Sequence, residues 1–394
     1  MIKMVMWLSL IGLIGGGLVV NRLLNRWSLP DVPVYLFLGV ALGPALGLIR
    51  VPSTSPLTLN ILPIAAGVIL FEGGAGIPFD GLRRMWPSIM SLATLGVLLA
   101  SSFMAVSLHW IWNLPWSLAA MSAIVIANTD PASVIPVLSR LSIPQSIRIT
   151  MEAESAFNDT MSALTTSILM AVLNSHFSRT VVLEQSFRQI FLGLLLGLSV
   201  GYAMGTLARK NPGLSIWTEI TAAFVPYLLA VELGSNGYVA AFTAGLSWRF
   251  RHYFPSPTLL VSRISTLARI TVFTWLGLIM PIAVLRTHWP LALGVPFILM
   301  FAARPLTVIG SVGWIRQWHP KERLFMMWVR ETGAISAVLA VQTGTLFPQW
   351  RPLIWAIVFS SILVTVGIQA PSSRFLARIL GFASAQKEKM PERE

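Results

Sequence analysis

Apolar runs of about 20 residues, the length that crosses a bilayer as a helix, recur from one end of this sequence to the other. Such a chain is read as a polytopic membrane protein. The charge content agrees: only 11% of the 394 residues are charged, against about 25% in soluble globular chains. Too little charge remains to clothe a water-facing surface. The first run opens with one lysine, as a signal peptide does, but Leu13 to Asn25 offers no A-x-A-like cleavage site and apolar segments continue beyond it. A retained first span is therefore expected. The chain has no cysteine, which excludes disulfides, thiolate metal sites and cysteine chemistry.

Hydropathy, punctuated by Pro, Gly and charge, predicts thirteen spans. They lie near 4–21, 32–49, 57–77, 88–112, 115–139, 147–173, 189–208, 216–233, 237–248, 264–285, 290–315, 324–347 and 352–373. The expected fold is all-α, one transmembrane unit over 1–386 followed by a short charged tail, 387–394. A net charge of +13 invites a nucleic-acid partner, but its distribution points elsewhere. Segments after the odd-numbered spans hold nineteen Lys and Arg, and the opposite side holds six. By the positive-inside rule the N-terminus faces outward and the C-terminus the cytoplasm, most simply in a bacterial inner (plasma) membrane. The basic residues orient the chain first and meet lipid headgroups second. No nucleic-acid partner is expected. No GxxxxGK[ST] occurs either, so an ATP-driven pump is not expected.

Two predicted spans are interrupted. In the fifth, Asn128-Thr129-Asp130-Pro131-Ala132-Ser133 breaks an apolar run, with Asp130 and Pro131 placed as an N-cap and first helical residue of a second half-helix. In the twelfth, Arg330-Glu331-Thr332-Gly333-Ala334 does the same. The breaks are seven spans apart, and an odd offset reverses orientation, so the halves read as inverted-topology repeats. Interrupted segments at matching positions of inverted halves point to a midplane ion or substrate site in a secondary transporter. The bland alternative is a pair of kinks without function.

Ionisable groups inside a membrane cost roughly 2.5 kcal/mol or more each by insertion scales. Asp159 is the main candidate for a group that alternately holds a proton and a cation. Burial makes its charged form costly, so a proton and a hard cation such as Na⁺ compete for the same oxygens. Glu154 lies about 140° around the helix from Asp159, and a structural ion pair with Arg304 suits it at least as well as ion binding. Asn158 offers an amide, and Thr129 and Ser155 offer neutral oxygens of the kind hard cations accept. Arg330 and Glu331 are placed to neutralise half-helix ends, Arg at a C-terminal end and Glu at an N-terminal one. Glu72, in "LFEGGAG", admits two readings: an access-funnel group or a partner for an arginine. Glu219 and Glu232 read as interfacial, and Arg269 has no assignment.

These residues resemble the cation:proton antiporter family, in particular its NhaP-like monovalent-cation branch, which also contains the animal sodium/proton exchangers. The matching pieces are "FEGG" at Phe71 to Gly74, "NTDP" at Asn128 to Pro131, "ESAFND" at Glu154 to Asp159, "ARP" at Ala303 to Pro305 and "R..GAIS" at Arg330 to Ser336. The resemblance implies a thirteen-helix fold with two crossed broken helices, a dimerisation domain and a six-helix core near 88–173 and 290–373 that moves in an elevator-like fashion. It implies a homodimer. It implies that Asp159 carries the ion, with Asp130, Thr129 and Ser155 at or near a Na⁺ site, and that Glu154 pairs with Arg304. Members with Asn before the carrier are usually electroneutral, so Asn158 points to one-for-one exchange. Two departures stand out. The second break reads Arg-Glu-Thr-Gly where many relatives have Arg directly before Gly, which adds an acid near the core. The nucleotide-binding regulatory domain of some potassium-efflux relatives is not expected.

The function expected is secondary antiport of Na⁺, with Li⁺ and K⁺ as further candidates, against H⁺, without catalysis or cofactor. The alternative is a sodium-coupled symporter of a small organic solute. An intramembrane aspartyl protease would also use two buried aspartates, but its G-x-G-D signature is missing.

Overall fold

The computed structural model describes residues 31–49, 57–77, 79–130, 143–174, 179–251 and 259–382, with Gly15 and Ser55. The expected first span, the half-helix after Pro131 and the charged tail lie outside the described residues, which form helices and no strand. In lipid every backbone N–H and C=O must be satisfied within the protein, which a helix does locally.

The elements are α1 (Val32–Val40), α2 (Leu62–Gly76), α3 (Phe79–Ser91), α4 (Val97–Trp112), α5 (Trp116–Ala127), α6 (Gln145–Asn174) and α7 (Arg179–Lys210). Then come α8 (Ser215–Glu232), α9 (Gly237–Arg251), α10 (Leu259–Leu278), α11 (Ile282–Thr287), α12 (Trp289–Ile298) and α13 (Arg304–Val312). The last are α14 (Pro320–Trp328), α15 (Ala334–Leu346), α16 (Arg351–Val364) and α17 (Ala370–Ile379). Proline stands in the first turn of α12, α14, α16 and α17, where its missing N–H has no partner to lose.

Seven helices are long and apolar enough to cross a membrane, and three shorter apolar ones accompany them: Val32–Ala45, Trp116–Ala127 and Ala334–Leu346. Each predicted span from the second to the thirteenth contains a helix, with different ends. The seventh begins at Arg179, the tenth stops at Leu278 before Pro281, and the thirteenth runs on to Ile379. π-helical turns at Leu92–Gly96 and Leu299–Ala303 interrupt the fourth and eleventh spans, again seven apart. Further π turns stand at Ala41–Ala45 and Thr365–Gln369, in the second and thirteenth spans, and hydropathy reads all four spans as continuous.

Packing falls into two groups. In one, α9 lies between α7 and α2, α8 rests on α7, and α10 rests on α1. In the other, α4 packs on α5, α3 on α6, α15 on α16 and α12 on α16. The α7–α9 contact is set by glycines at four-residue spacing, Gly193, Gly197, Gly201 and Gly205. A Cβ added at Gly197 would stand 2.4 Å from the Ala240 carbonyl oxygen, and one at Gly201 would stand 2.3 Å from that of Ala244. Small residues at this spacing let two membrane helices meet backbone to backbone. Among side chains joining the groups, Phe157 of α6 packs edge-on against Phe242 of α9, centroids 4.8 Å apart.

Candidate functional site

α5 ends at Ala127, and Asn128 turns into extended backbone, φ −69°, ψ 162°. A proline at 131 further disfavours the helical region for Asp130, the residue before it, so the helix does not resume at once. The second break separates α14 from α15, with Val329 extended at φ −79°, ψ 102°. The two unwound stretches cross in contact. The Asp130 N–H donates to the Glu331 carbonyl at 2.8 Å. The Arg330 guanidinium donates to the carbonyls of Ile126 and Asn128 at the end of α5, where the helix dipole favours a cation. Asp130 packs over Gly333, the residue that starts α15; a Cβ there would meet the Asp130 Cβ at 2.2 Å and its Oδ2 at 2.4 Å. Only glycine fits this crossing. Asp130 thus lies against the N-terminal end of α15.

α6 carries the other half of the site. Asn128 Nδ2 donates to Asp159 Oδ1 at 2.8 Å, and Ser336 of α15 donates to Asn128 Oδ1. That second bond orients the Asn128 amide so that its N–H faces Asp159. Asn158 and Thr129 are bonded twice: Asn158 Nδ2 donates to Thr129 Oγ1 at 2.7 Å, and the Thr129 N–H donates to Asn158 Oδ1 at 3.2 Å. Asn158 therefore spends its amide on holding the unwound chain. Ser155, four residues before Asp159, shares its helix face. Asp159, Thr129 and Ser155 are each 6–7% exposed.

Glu154 looks away from this cluster. It is held by Arg304 through two bonds, Nη1 to Oε1 at 2.5 Å and Nη2 to Oε2 at 3.1 Å, and Arg304 Nε donates to the Met326 carbonyl. Both partners are buried. A buried carboxylate in a bidentate guanidinium fork is neutralised in place. Asp159 takes part in neither of two ion pairs that hold acids here, of which Glu154–Arg304 is one. The other is Arg269–Glu72 at 3.2 Å, with Ser262 Oγ donating to Glu72 at 2.9 Å. Glu72 and Arg269, unassigned to each other in the sequence, thus stand as an ion pair.

Asn128 and Ser336 lie in the motifs "NTDP" and "GAIS" but are not singled out by sequence reasoning; neutral side chains carry no cost signal in an apolar run. Glu219, one turn into α8, is fully buried within the protein, in a section that also buries Thr218, Ala222 and Ala223. Glu232 is exposed. Eight residues beyond Asp159, about 12 Å along α6, Ser167 borders a cavity of about 470 Å³ lined by Asn60, Gln189, Tyr227, Asn236, Tyr238 and Gln342. There Asn236 Nδ2 donates to Ser167 Oγ at 3.2 Å, joining α6 to the start of α9.

A family model described as "sodium/hydrogen exchanger, transmembrane" matches residues 8–378. The chain is 27% identical over 370 residues to the K⁺/H⁺ antiporter NhaP2 of Shewanella oneidensis, covering 90% of this chain and 63% of that one. It is 26% identical over 347 residues to the Na⁺/H⁺ antiporter 1 of Methanocaldococcus jannaschii, covering 83% and 80%. It thus spans under two thirds of the length of the Shewanella relatives. The solved structure of the sodium proton antiporter MjNhaP1 from M. jannaschii at pH 8 superposes with a TM-score of 0.84 at 23% identity, over 97% of this chain and 100% of the other. That likeness shows the fold. The relatives named are antiporters, which gives the symporter reading no support.

Proposed function

Because the chain belongs to the sodium/hydrogen exchanger family, we propose that it is a secondary antiporter exchanging a monovalent cation, Na⁺ or K⁺, for H⁺, with Asp159 as the carboxylate for which both compete. One observation carries the reading. Of two buried acids on one helix, Glu154 is neutralised by Arg304 while Asp159 meets a single neutral donor, Asn128. Arg269, the arginine whose field reaches Asp159, is paired with Glu72. An acid at that depth with no ion-pair partner of its own calls for a movable counter-charge, a proton or a metal cation.

Thr129 and Ser155 would complete the cation's oxygen shell, with Asp130 adding negative charge from the crossing. Asn158 positions Thr129 and contributes no charge, which supports one cation per proton. The positive-inside count supports an N-terminus outside and the C-terminus in the cytoplasm, and the two packing groups support a scaffold that dimerises and a core that moves against it.

Competition has a measurable sign. If H⁺ and Na⁺ contend for Asp159, the apparent KM for Na⁺ rises as pH falls, approaching about tenfold per pH unit on the acid side, while the maximal rate at saturating Na⁺ is unchanged. A KM that stays flat with pH while the maximal rate falls would indicate separate sites and reject a shared carrier. Reconstituted protein with radioactive ²²Na⁺ serves for the measurement.

A further inference from the structure

The crossing holds a second acid that the shared-carrier account leaves unused. Glu331 is fully buried, and neither of its carboxylate oxygens has a hydrogen-bond partner. Its own main-chain amide lies close, but outside hydrogen-bonding geometry. The charged groups whose fields reach it are Asp130, Arg304 and Arg330. Both arginines are committed elsewhere. Arg304 is bonded to Glu154 and the Met326 carbonyl, and Arg330 to Ile126, Asn128 and Thr332. Asp130 makes matters worse for an anion, since its main chain is bonded to that of Glu331 and it brings a second negative charge. A buried carboxylate with no donor and an acid for a neighbour is a costly arrangement, and it is relieved by a cation.

We propose that Glu331 is a second cation-coordinating carboxylate, forming with Asp130 a subsite for a monovalent cation at the crossing of the unwound chains. The subsite is joined to Asp159 through residues 128–130, two residues of extended chain or about 7 Å. A dehydrated Na⁺ or K⁺ leaving Asp159 would find there the next uncompensated carboxylate. Cation preference is then set by two carboxylates and not by Asp159 alone, because affinity follows the number and charge of the oxygens offered. This rests on the exchanger reading above.

The test separates the two. Equilibrium binding of ²²Na⁺, and of K⁺ by competition, is measured on the purified full chain in detergent, independently of transport. Glu331→Gln keeps the shape and mimics a permanently protonated acid. The expected result is cation binding weakened by about tenfold, with thermal stability equal to or above that of the wild type. A Gln variant that binds Na⁺ and K⁺ as the wild type does would overturn the proposal and mark Glu331 as a buried acid that holds its proton throughout. Glu331→Asp keeps the charge and shortens the arm, and serves if the Gln variant does not fold. Its Na⁺-to-K⁺ binding ratio should shift, whereas an unchanged ratio again overturns the proposal. A wild-type chain that binds cations but exchanges none for protons would refute the exchanger reading and leave the subsite standing.

Discussion

At the scale of single residues, Glu154 and Asp159 show how two acids of equal cost can have unlike uses. Five positions apart on a helix, they cannot share a face, and the direction of each decides its partner. Glu154 reaches Arg304 and becomes part of the scaffold; Asp159 reaches a neutral amide. Glu154→Gln is therefore expected to leave Arg304 as a buried, unpaired charge and to lower stability by about 3–5 kcal/mol, read as a fall in the melting temperature of the purified protein. Asp159→Asn should melt near or above the wild type, since it removes an anion with no fixed partner. Equal melting temperatures for wild type and Glu154→Gln would show that the fork contributes little. The acids were legible in the sequence because charge in an apolar run is conspicuous. Asn128 and Ser336 were not, because an amide or hydroxyl there is unremarkable until the chain crossing brings it beside Asp159.

Elements were legible in kind and less so in extent. Apolar length identified a helix for each span from the second to the thirteenth, but π turns and amphipathic ends are invisible to an average of hydropathy. The seventh helix starts at Arg179, ahead of the span predicted from 189, because Glu184 and Arg188 interrupt an apolar run without interrupting a helix. The glycine series along α7 stands at four-residue spacing in "GLLLGLSVGYAMG". Gly197→Leu should force α7 from α9, where a Cβ already lies 2.4 Å from the Ala240 carbonyl, and lower the melting temperature by the equivalent of about 1–3 kcal/mol. Gly333→Ala acts at the crossing instead. Its methyl would occupy the place of the Asp130 side chain, so exchange should fall steeply while the chain still inserts; exchange at the wild-type rate would mean that the crossing yields easily. Both breaks were visible as Asn-Thr-Asp-Pro and Arg-Glu-Thr-Gly, but that Asp130 lies over Gly333 depends on how the two unwound stretches cross.

For the whole molecule, the antiport proposed above would have the α6-bearing group move against the α9-bearing one. The seam between them has an aromatic contact, Phe157–Phe242, and a hydrogen bond, Asn236–Ser167. The chain has no native cysteine, so Ser167→Cys with Asn236→Cys introduces the only thiol pair. Cross-linking that pair should stop exchange and reduction should restore it; undiminished exchange by the cross-linked protein would show that the two groups do not slide there. One-for-one exchange further predicts a rate that a potassium diffusion potential does not change, and strong stimulation by voltage would contradict it. Charged breaks in two apolar runs pointed to a secondary transporter, and the resemblance carried by the motifs implied an exchanger. How the halves pack around them is a property of contacts that no spacing displays.

The shared-carrier claim meets its most direct test in proteoliposomes with an imposed pH gradient and a pH-sensitive dye inside. Wild-type protein should collapse the gradient on addition of Na⁺ or K⁺, and Asp159→Asn, folded and reconstituted at the same density, should not respond to either ion. Cation-driven proton flux through Asp159→Asn at the wild-type rate would show that proton and cation meet elsewhere.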